Sequence, residues 1–310
     1  STAYAPGSIR NLRSQWSAFL KFVINNRLQL FPPHIDTIVC FYSNLTVTLK
    51  SYSALQNYES AVRLFYKVYG FALDSDLIQF KLINMGAKKC LNTAPTTKVP
   101  LEPEHIMSFV HIMDHNNPFH VCFVTAVCVG FFALLRRSNI CPPSPSMFDP
   151  EKHLRRCDIL LDNTGIIINL NWTKTNQTRD KVFQVPIAFS HNPKLDPPSL
   201  FAHFNSAYPV LPCDPAFSFY RGSHRYILTH RDLSAMLSSF MQAAGFSTDG
   251  VTSHSIRKGG TSLLARAGIS IPALKHHGTW TSEAYKNYIH FTSADKLSVT
   301  KSAYSFLKLT

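Results

Sequence analysis

The chain has 310 residues, 45% of them apolar, which leaves room for one large domain or two ordinary ones and is too apolar for a disordered chain. Lys and Arg number 31 against 18 Asp and Glu, a net charge of +13 that suits a polyanionic partner, because cations set beside phosphates release counterions. The seven cysteines are odd in number, scattered and free of any CxxC, which argues against a disulfide framework or a zinc site and for a reducing, intracellular setting.

The first residues, STAYAPGSIRNLRSQW, lack the basic-then-apolar order of a signal peptide. Ile9, Leu12, Trp16, Leu20 and Val23 then recur at helical spacing, as do Leu55, Tyr58, Val62, Phe65 and Tyr69. Apolar patches at 35–45 and 77–85 complete a pattern of four or five short helices over residues 1–92, a small helical bundle. This segment carries ten Lys/Arg against four acids, so it is basic in its own right. Leu91 to Leu101, LNTAPTTKVPL, has two prolines, three threonines and no helical period. It reads as a linker, set at 93–101, ahead of a second domain at 102–310.

Pro103 opens a helix over 103–114, and a longer apolar helix is expected from about His120 to Arg137. Its stretch Val121 to Leu135 is the most apolar of the chain, but it stops at Arg136-Arg137 and is too short for a membrane span. After Pro142, Pro143 and Pro145 come short β-branched runs at 159–161, 165–172 and 182–187, with NQTRD (176–180) as a connecting turn. They predict a small antiparallel sheet. From Ser199 onward the pattern returns to helix. Thr229 with Asp232 forms a capping-box spacing, Thr252 or Ser253 can cap the next helix, Pro272 suits a first turn, and Thr281 or Ser282 with Glu283 starts another. The predicted class is α+β, mostly helical.

His254-Ser-Ile-Arg257 puts an imidazole and a guanidinium on one helical face, a pair that suits a phosphate. The same spacing recurs at His153 and Arg156, so alone it is weak. The continuation, RKGGTSLLARAGISIPALKHHGTWTSEAYKNYI, adds a helix, a short helix, Gly278-Thr-Trp280 and a tyrosine pair. This order resembles the tyrosine recombinases, whose signature is His-x-x-Arg, then Gly-His or Gly-x-Trp, then Tyr-Ile. Upstream, Leu135-Arg136-Arg137-Ser138-Asn139-Ile140 is similar to their Leu-Arg-x-Ser-Glu-Leu, and Trp172-Thr173-Lys174-Thr175 lies where their hairpin lysine does. Asn139 stands where the family usually carries Glu or Asp. The wording LLRRSNICPPSPSMFDPEKHLRRCDIL and GTWTSEAYKNYI looks most like recombinases of eukaryotic mobile elements of the Crypton and DIRS/Ngaro kinds.

The resemblance implies a core-binding, SAM-like bundle and a catalytic domain that clamp duplex DNA between them. It also implies a nuclear enzyme for integration or excision of a mobile element, acting as a dimer on one site and a tetramer in synapsis, with no membrane role. A phosphodiester attacked by a tyrosine passes through a phosphorane with extra negative charge. Arg136 and Arg257 would clamp its non-bridging oxygens with planar donor forks. Lys174 would protonate the leaving 5′-oxygen, and His254 would assist proton transfer or donate to the phosphate. Trp280 would supply an indole N–H, and Tyr288 would be the nucleophile, leaving a 3′-phosphotyrosine. No metal, ATP or other cofactor is implied. Arg137, Lys181, His277 and Tyr285 are the respective rivals of Arg136, Lys174, Trp280 and Tyr288. The tail Lys296 to Thr310 is either exchanged between subunits or packed on its own. Two other functions stay open: a type IB topoisomerase-like enzyme, and a domesticated non-catalytic DNA-binding protein.

Overall fold

The computed structural model describes residues 4, 6–74, 76–91, 98–173, 176, 181–190, 192, 195–290, 292, 295, 297 and 301. Lys174, the 177–180 part of the expected turn and most of the tail Lys296 to Thr310 lie outside them. The chain divides into two compact units, residues 1–96 and 97–310.

The first unit holds helices α1 (Pro6–Asn25), α2 (Ile35–Thr48), α3 (Tyr52–Val68) and α4 (Ile78–Cys90). Their apolar faces meet in an aromatic core. Phe19 packs on Phe41 with ring centroids 5.1 Å apart and edge-on to Tyr66 at 5.8 Å, contacts worth about 0.5–1.5 kcal/mol each beyond simple burial. Trp16 Nε1 donates to the Ala61 carbonyl at 2.6 Å and ties α1 to α3. One carboxylate, Glu59, is buried in this unit beside Asn84, whose Nδ2 donates to it at 2.7 Å. Tyr52 in turn donates to Asn84 Oδ1 at 2.8 Å.

The second unit is built round α6 (Pro118–Phe132), where every residue from Val121 to Phe131 is buried. A helix apolar on all sides must be central, and each large side chain it buries contributes about 1.5–3 kcal/mol. α5 (Pro103–Ile112) and the short α7 (Arg137–Ile140) flank it in sequence. Strands β1 (Ile159–Leu161), β2 (Gly165–Leu170) and β3 (Phe183–Ala188) form an antiparallel sheet in that order, with Ile168 opposite Ile159 on one side and Val185 on the other. Then come α8 (Pro197–Ala207), a hairpin of β4 (Ser218–Arg221) and β5 (His224–Ile227), and helices α9 (His230–Ala243), α10 (Ser253–Arg266) and α11 (Ile271–His277). The architecture is the mostly helical α+β class expected, with small antiparallel sheets.

Three local expectations are corrected. The β4–β5 hairpin was read as helix, although its two-residue Gly222-Ser223 connection, with Gly222 at φ 60°, is a hairpin turn. The apolar helix ends at Phe132 rather than Arg137, because Leu134 takes a left-handed conformation with φ 52°. Tyr285 lies in a 3₁₀ turn, Glu283–Asn287, and Tyr288 is the residue that closes it, so the pair is not on an α-helix. The caps behave as read: Thr229 and Asp232 close a reciprocal capping box, and the Thr252 side chain accepts from the His254 N–H. Residues 98–101 of the expected linker are bonded into the second unit. Lys258 Nζ donates to the Lys98 carbonyl, Val99 N–H to Gly250 and Leu101 N–H to Ser255.

Candidate active site

Two helix ends of the same design deliver the site. At the end of α6 the Leu134 N–H bonds to Phe131 and the Leu135 N–H to Gly130. At the end of α11 the Thr279 N–H bonds to His276 and the Trp280 N–H to Lys275. Both are Schellman motifs, yet the left-handed place is taken by Leu134 and by Thr279 (φ 55°) instead of glycine. A side chain there costs about 1 kcal/mol or more, so the surroundings must enforce it. The first motif turns the chain so that Arg136 caps α7, and the second presents Trp280.

Helix α10 holds the two ends together. A Cβ on Gly260 would collide with the Phe131 carbonyl, and one on Gly259 with that of Leu101, so only glycine lets α10 lie this close to the end of α6. Arg257, 2% exposed, then reaches both helix ends. Its Nη1 donates to the Leu134 carbonyl and its Nη2 to that of Gly278 at 2.6 Å. A cation at two carbonyl ends complements both helix dipoles. Gly278 has its own reason to be glycine: any Cβ would lie inside the Trp280 ring.

Around this anchor Arg136, Arg257, Trp280 and Tyr288 converge. The Arg257 guanidinium lies 4.1 Å from the Trp280 ring centroid and 5.2 Å from that of Tyr288, and the two rings are 5.5 Å apart. The Tyr288 backbone is fixed by α10, since Ser262 Oγ donates to its carbonyl at 3.2 Å and accepts from the His290 N–H at 2.9 Å. Burial and then the charge of Arg136 lower the pKa of Arg257 to about 9, while Tyr288 opposes the fall. Burial lowers Arg136 as well, again against Tyr288. Both remain cations at neutral pH. Arg136 Nη1, Arg257 Nε and Trp280 Nε1 are buried donors with no acceptor among the described residues. Buried polar groups are nearly always paired, so three orphaned donors in one cluster mark a place for an acceptor-rich, anionic group.

His254 is not in this cluster. It is exposed on the first turn of α10 and, with Lys98 and Arg137, lines a neighbouring cleft of about 360 Å³ without a carboxylate. Burial of its ring, then Lys98, Arg137, Arg257 and Arg136, all lower its pKa, so it is neutral at pH 7.

Lys174 lies outside the described residues, and its flanks lie within them. The Asn139 amide donates to the Trp172 carbonyl at 3.1 Å, and buried Thr173 and Asn176 face each other in an antiparallel bridge. Of the rivals, Tyr285 is buried under Lys275, whose Nζ lies 5.8 Å from its ring centroid, whereas Tyr288 is half-buried against both arginines. His277 bonds to the Phe132 carbonyl at 2.8 Å, and Lys181 is exposed. His276 is exposed too, and no cluster of metal-capable side chains occurs among the described residues. None of their helices is long and apolar enough to cross a membrane. The sequence assigned no role to Gly259, Gly260 or Ser262, and named Gly278 only as part of the Gly-x-Trp motif. The Lys-Gly-Gly run after Arg257 was the available signal for the first two.

No protein-family model matches the chain, and no curated protein sequence does. Solved structures do match. XerH site-specific recombinase bound to a palindromic difH substrate has a TM-score of 0.64 at 17% identity, over 95% of this chain and 78% of that one. The Tn1549 transposon integrase in complex with transposon right end DNA has 0.58 at 16%, over 94% and 93%. A lambda integrase dimer bound to a core site has 0.59 at 14%, over 94% and 90%. At such identities the likeness is one of architecture: the chain has the fold of the tyrosine recombinases.

Proposed function

We propose that this chain is a DNA strand transferase, cutting and rejoining duplex DNA through a phosphotyrosine at Tyr288. The observation that carries the reading is the convergence of Arg136 and Arg257 on the Tyr288 side chain, with three buried donors left without acceptors. A scissile phosphate set there would receive both guanidiniums and the Trp280 indole N–H. Donors fixed in a water-poor site stabilise the phosphorane more than water does. The Tyr288 oxygen attacks phosphorus, the P–O5′ bond breaks, and Lys174 gives its proton to the leaving 5′-oxygen. Neutral His254, beside the cluster, is available to take the phenolic proton. The phosphotyrosine keeps the bond energy, so the reverse attack by a 5′-hydroxyl needs neither ATP nor a metal.

The basic cleft of Lys98, Arg137 and His254 and the basic first unit suit the flanking DNA backbone. The solved neighbours are recombinases and integrases bound to DNA. The Crypton- and DIRS-like wording of the sequence extends the proposal to integration or excision of a mobile element, in the nucleus, by a dimer on each site that pairs into a tetramer. The test is covalent capture on a pool of nicked duplexes with randomised cores, in EDTA. A protein–DNA adduct is expected from the wild type and from Tyr285→Phe, and none from Tyr288→Phe. The opposite pattern overturns the nucleophile, and an adduct that relaxes plasmids but never joins two DNAs points to a topoisomerase instead.

A further inference from the structure

We propose that Asn139 is a positioning residue: its amide, as a hydrogen-bond donor, locks the β2–β3 hairpin to the turn that carries Arg136. The inference rests on the strand-transfer reading above. Asn139 is 2% exposed. Its backbone N–H bonds to the Arg136 carbonyl at 2.8 Å, so its Cα is fixed by the arginine's own turn. Its Nδ2 donates to the Trp172 carbonyl at 3.1 Å, thirty-three residues away in sequence. A carbonyl can only accept, so this partner settles which end of the amide faces it.

An ionised carboxylate, the usual group at this place in the family that the sequence resembles, has no proton to give. In this buried geometry it would oppose the Trp172 carbonyl oxygen to oxygen. The amide is therefore the residue type this particular contact requires, and the departure at 139 becomes a local fit rather than a defect.

What the bond holds is the chain that enters the Thr173–Asn176 bridge. Beyond Trp172, the Asn176 N–H bonds to the Thr173 carbonyl at 3.1 Å, and Asn176 Nδ2 donates to the Lys181 carbonyl at 2.5 Å. Thr173 and Asn176 are both buried, and the two sequence places between them are Lys174 and Thr175. One side chain thus links the backbone of Arg136 to the backbone two residues before Lys174. Transition-state stabilisation and leaving-group protonation must reach the same phosphate, so slack between them costs rate without weakening DNA binding.

Single-turnover adduct formation, DNA affinity and thermal stability are measured for Asn139→Asp and Asn139→Leu. At pH 7.5 both are expected to lose on the order of 10²-fold in rate, with DNA affinity unchanged. The Asp variant recovers as the pH falls, because its protonated carboxyl regains a donor, while the Leu variant does not. Groups facing the introduced carboxyl are Glu151, Lys152, His153 and Asp158 along the adjoining cleft, and Arg136 and Arg137 on its own turn. Burial and the two acids delay its ionisation, and the cations advance it. A Leu variant at the wild-type rate, or an Asp variant whose pH profile parallels that of Leu, overturns the proposal. Should Leu not fold, Asn139→Ser, a donor on a shorter stem, is expected to outperform Asp at pH 7.5, and equal loss sinks the idea. If the wild type forms no adduct on any DNA, the strand-transfer reading fails by itself. The contact is then read from amide exchange at Thr173 and Asn176, expected to be faster in Asn139→Ser and fatal to the inference if unchanged.

Discussion

The chain carries His-x-x-Arg twice, at His153/Arg156 and His254/Arg257, and the two copies do different things. Both arginines are buried and lie over aromatic rings, and among the described residues neither has a carboxylate at ion-pair distance. Arg156 Nε donates to Ala216 at 2.9 Å, Nη1 to Asn205 Oδ1 at 3.0 Å and Nη2 to Ser218 at 2.8 Å, with Phe204 4.4 Å from its centre. Each of its nitrogens has an acceptor, and it ties the turn that precedes β1 to α8 and to the start of β4. Among the described residues Arg257 has acceptors at its two terminal nitrogens, stands beside a second arginine, and has none at its Nε. The histidines differ in the same way. His153 Nδ1 accepts from the Asp149 N–H at 3.0 Å, while His254 opens onto a cationic cleft. An arginine with an acceptor at each nitrogen is held as a cross-link; one with a buried nitrogen left unanswered beside a second cation is what the proposed phosphate site requires.

This contrast can be broken by exchange of the two arginines for lysine. Arg257→Lys removes the planar fork and is expected to slow adduct formation on the order of 10²–10³-fold. Arg156→Lys leaves carbonyls unanswered and is expected to cost about 3 kcal/mol of stability, with the rate per folded molecule unchanged. Equal kinetic losses in both variants would erase the distinction. The histidines give the next largest effect. His254→Ala is expected to lose about 10²-fold in rate, as for a removed proton-transfer group, and His153→Ala none. Because burial and four nearby cations lower the pKa of His254, the wild-type rate should fall only below pH 6.5. Arg137→Gln moves that acid limb upward, which a pH–rate profile reads directly.

The smallest effect belongs to the first unit, where the buried polar group is a carboxylate. Burial raises the pKa of Glu59 above 4.5, against the Asn84 hydrogen bond and the Arg63 charge. A folded value above the unfolded one gives stability at low pH that is lost as the pH rises through the raised pKa. Glu59→Gln keeps an acceptor for Asn84 and is expected to raise the Tm of this unit by about 3 °C at pH 7, with no gain at pH 4. A lower Tm at pH 7 would show that the carboxylate's charge is used.

Much of the site was legible because its pieces are local. Arg136 follows an apolar run, Arg257 follows a capped helix start, and Trp280 and Tyr288 follow a Gly-Thr-Trp turn. The preference for Tyr288 over Tyr285 was local too, carried by the Tyr-Ile ending. What was not local is their surroundings: Tyr288 beside Arg136 and Arg257, Tyr285 under Lys275. The β4–β5 hairpin was missed although FYRGSHRY alternates about a Gly-Ser turn, since the helical pattern on either side outweighed it. Asn139 read as a missing charge until its partner, a carbonyl 33 residues away, came into view.

By itself the sequence determined the helical bundle, the three-stranded sheet, the caps and the identities of the basic residues, all of which depend on neighbours within a turn or a strand. Tertiary structure alone decided which arginine is answered and which is left in deficit. That is a count of donors against acceptors in a buried volume, and the acceptors of Arg257 come from the far ends of α6 and α11, brought within reach by the close approach that Gly259 and Gly260 permit.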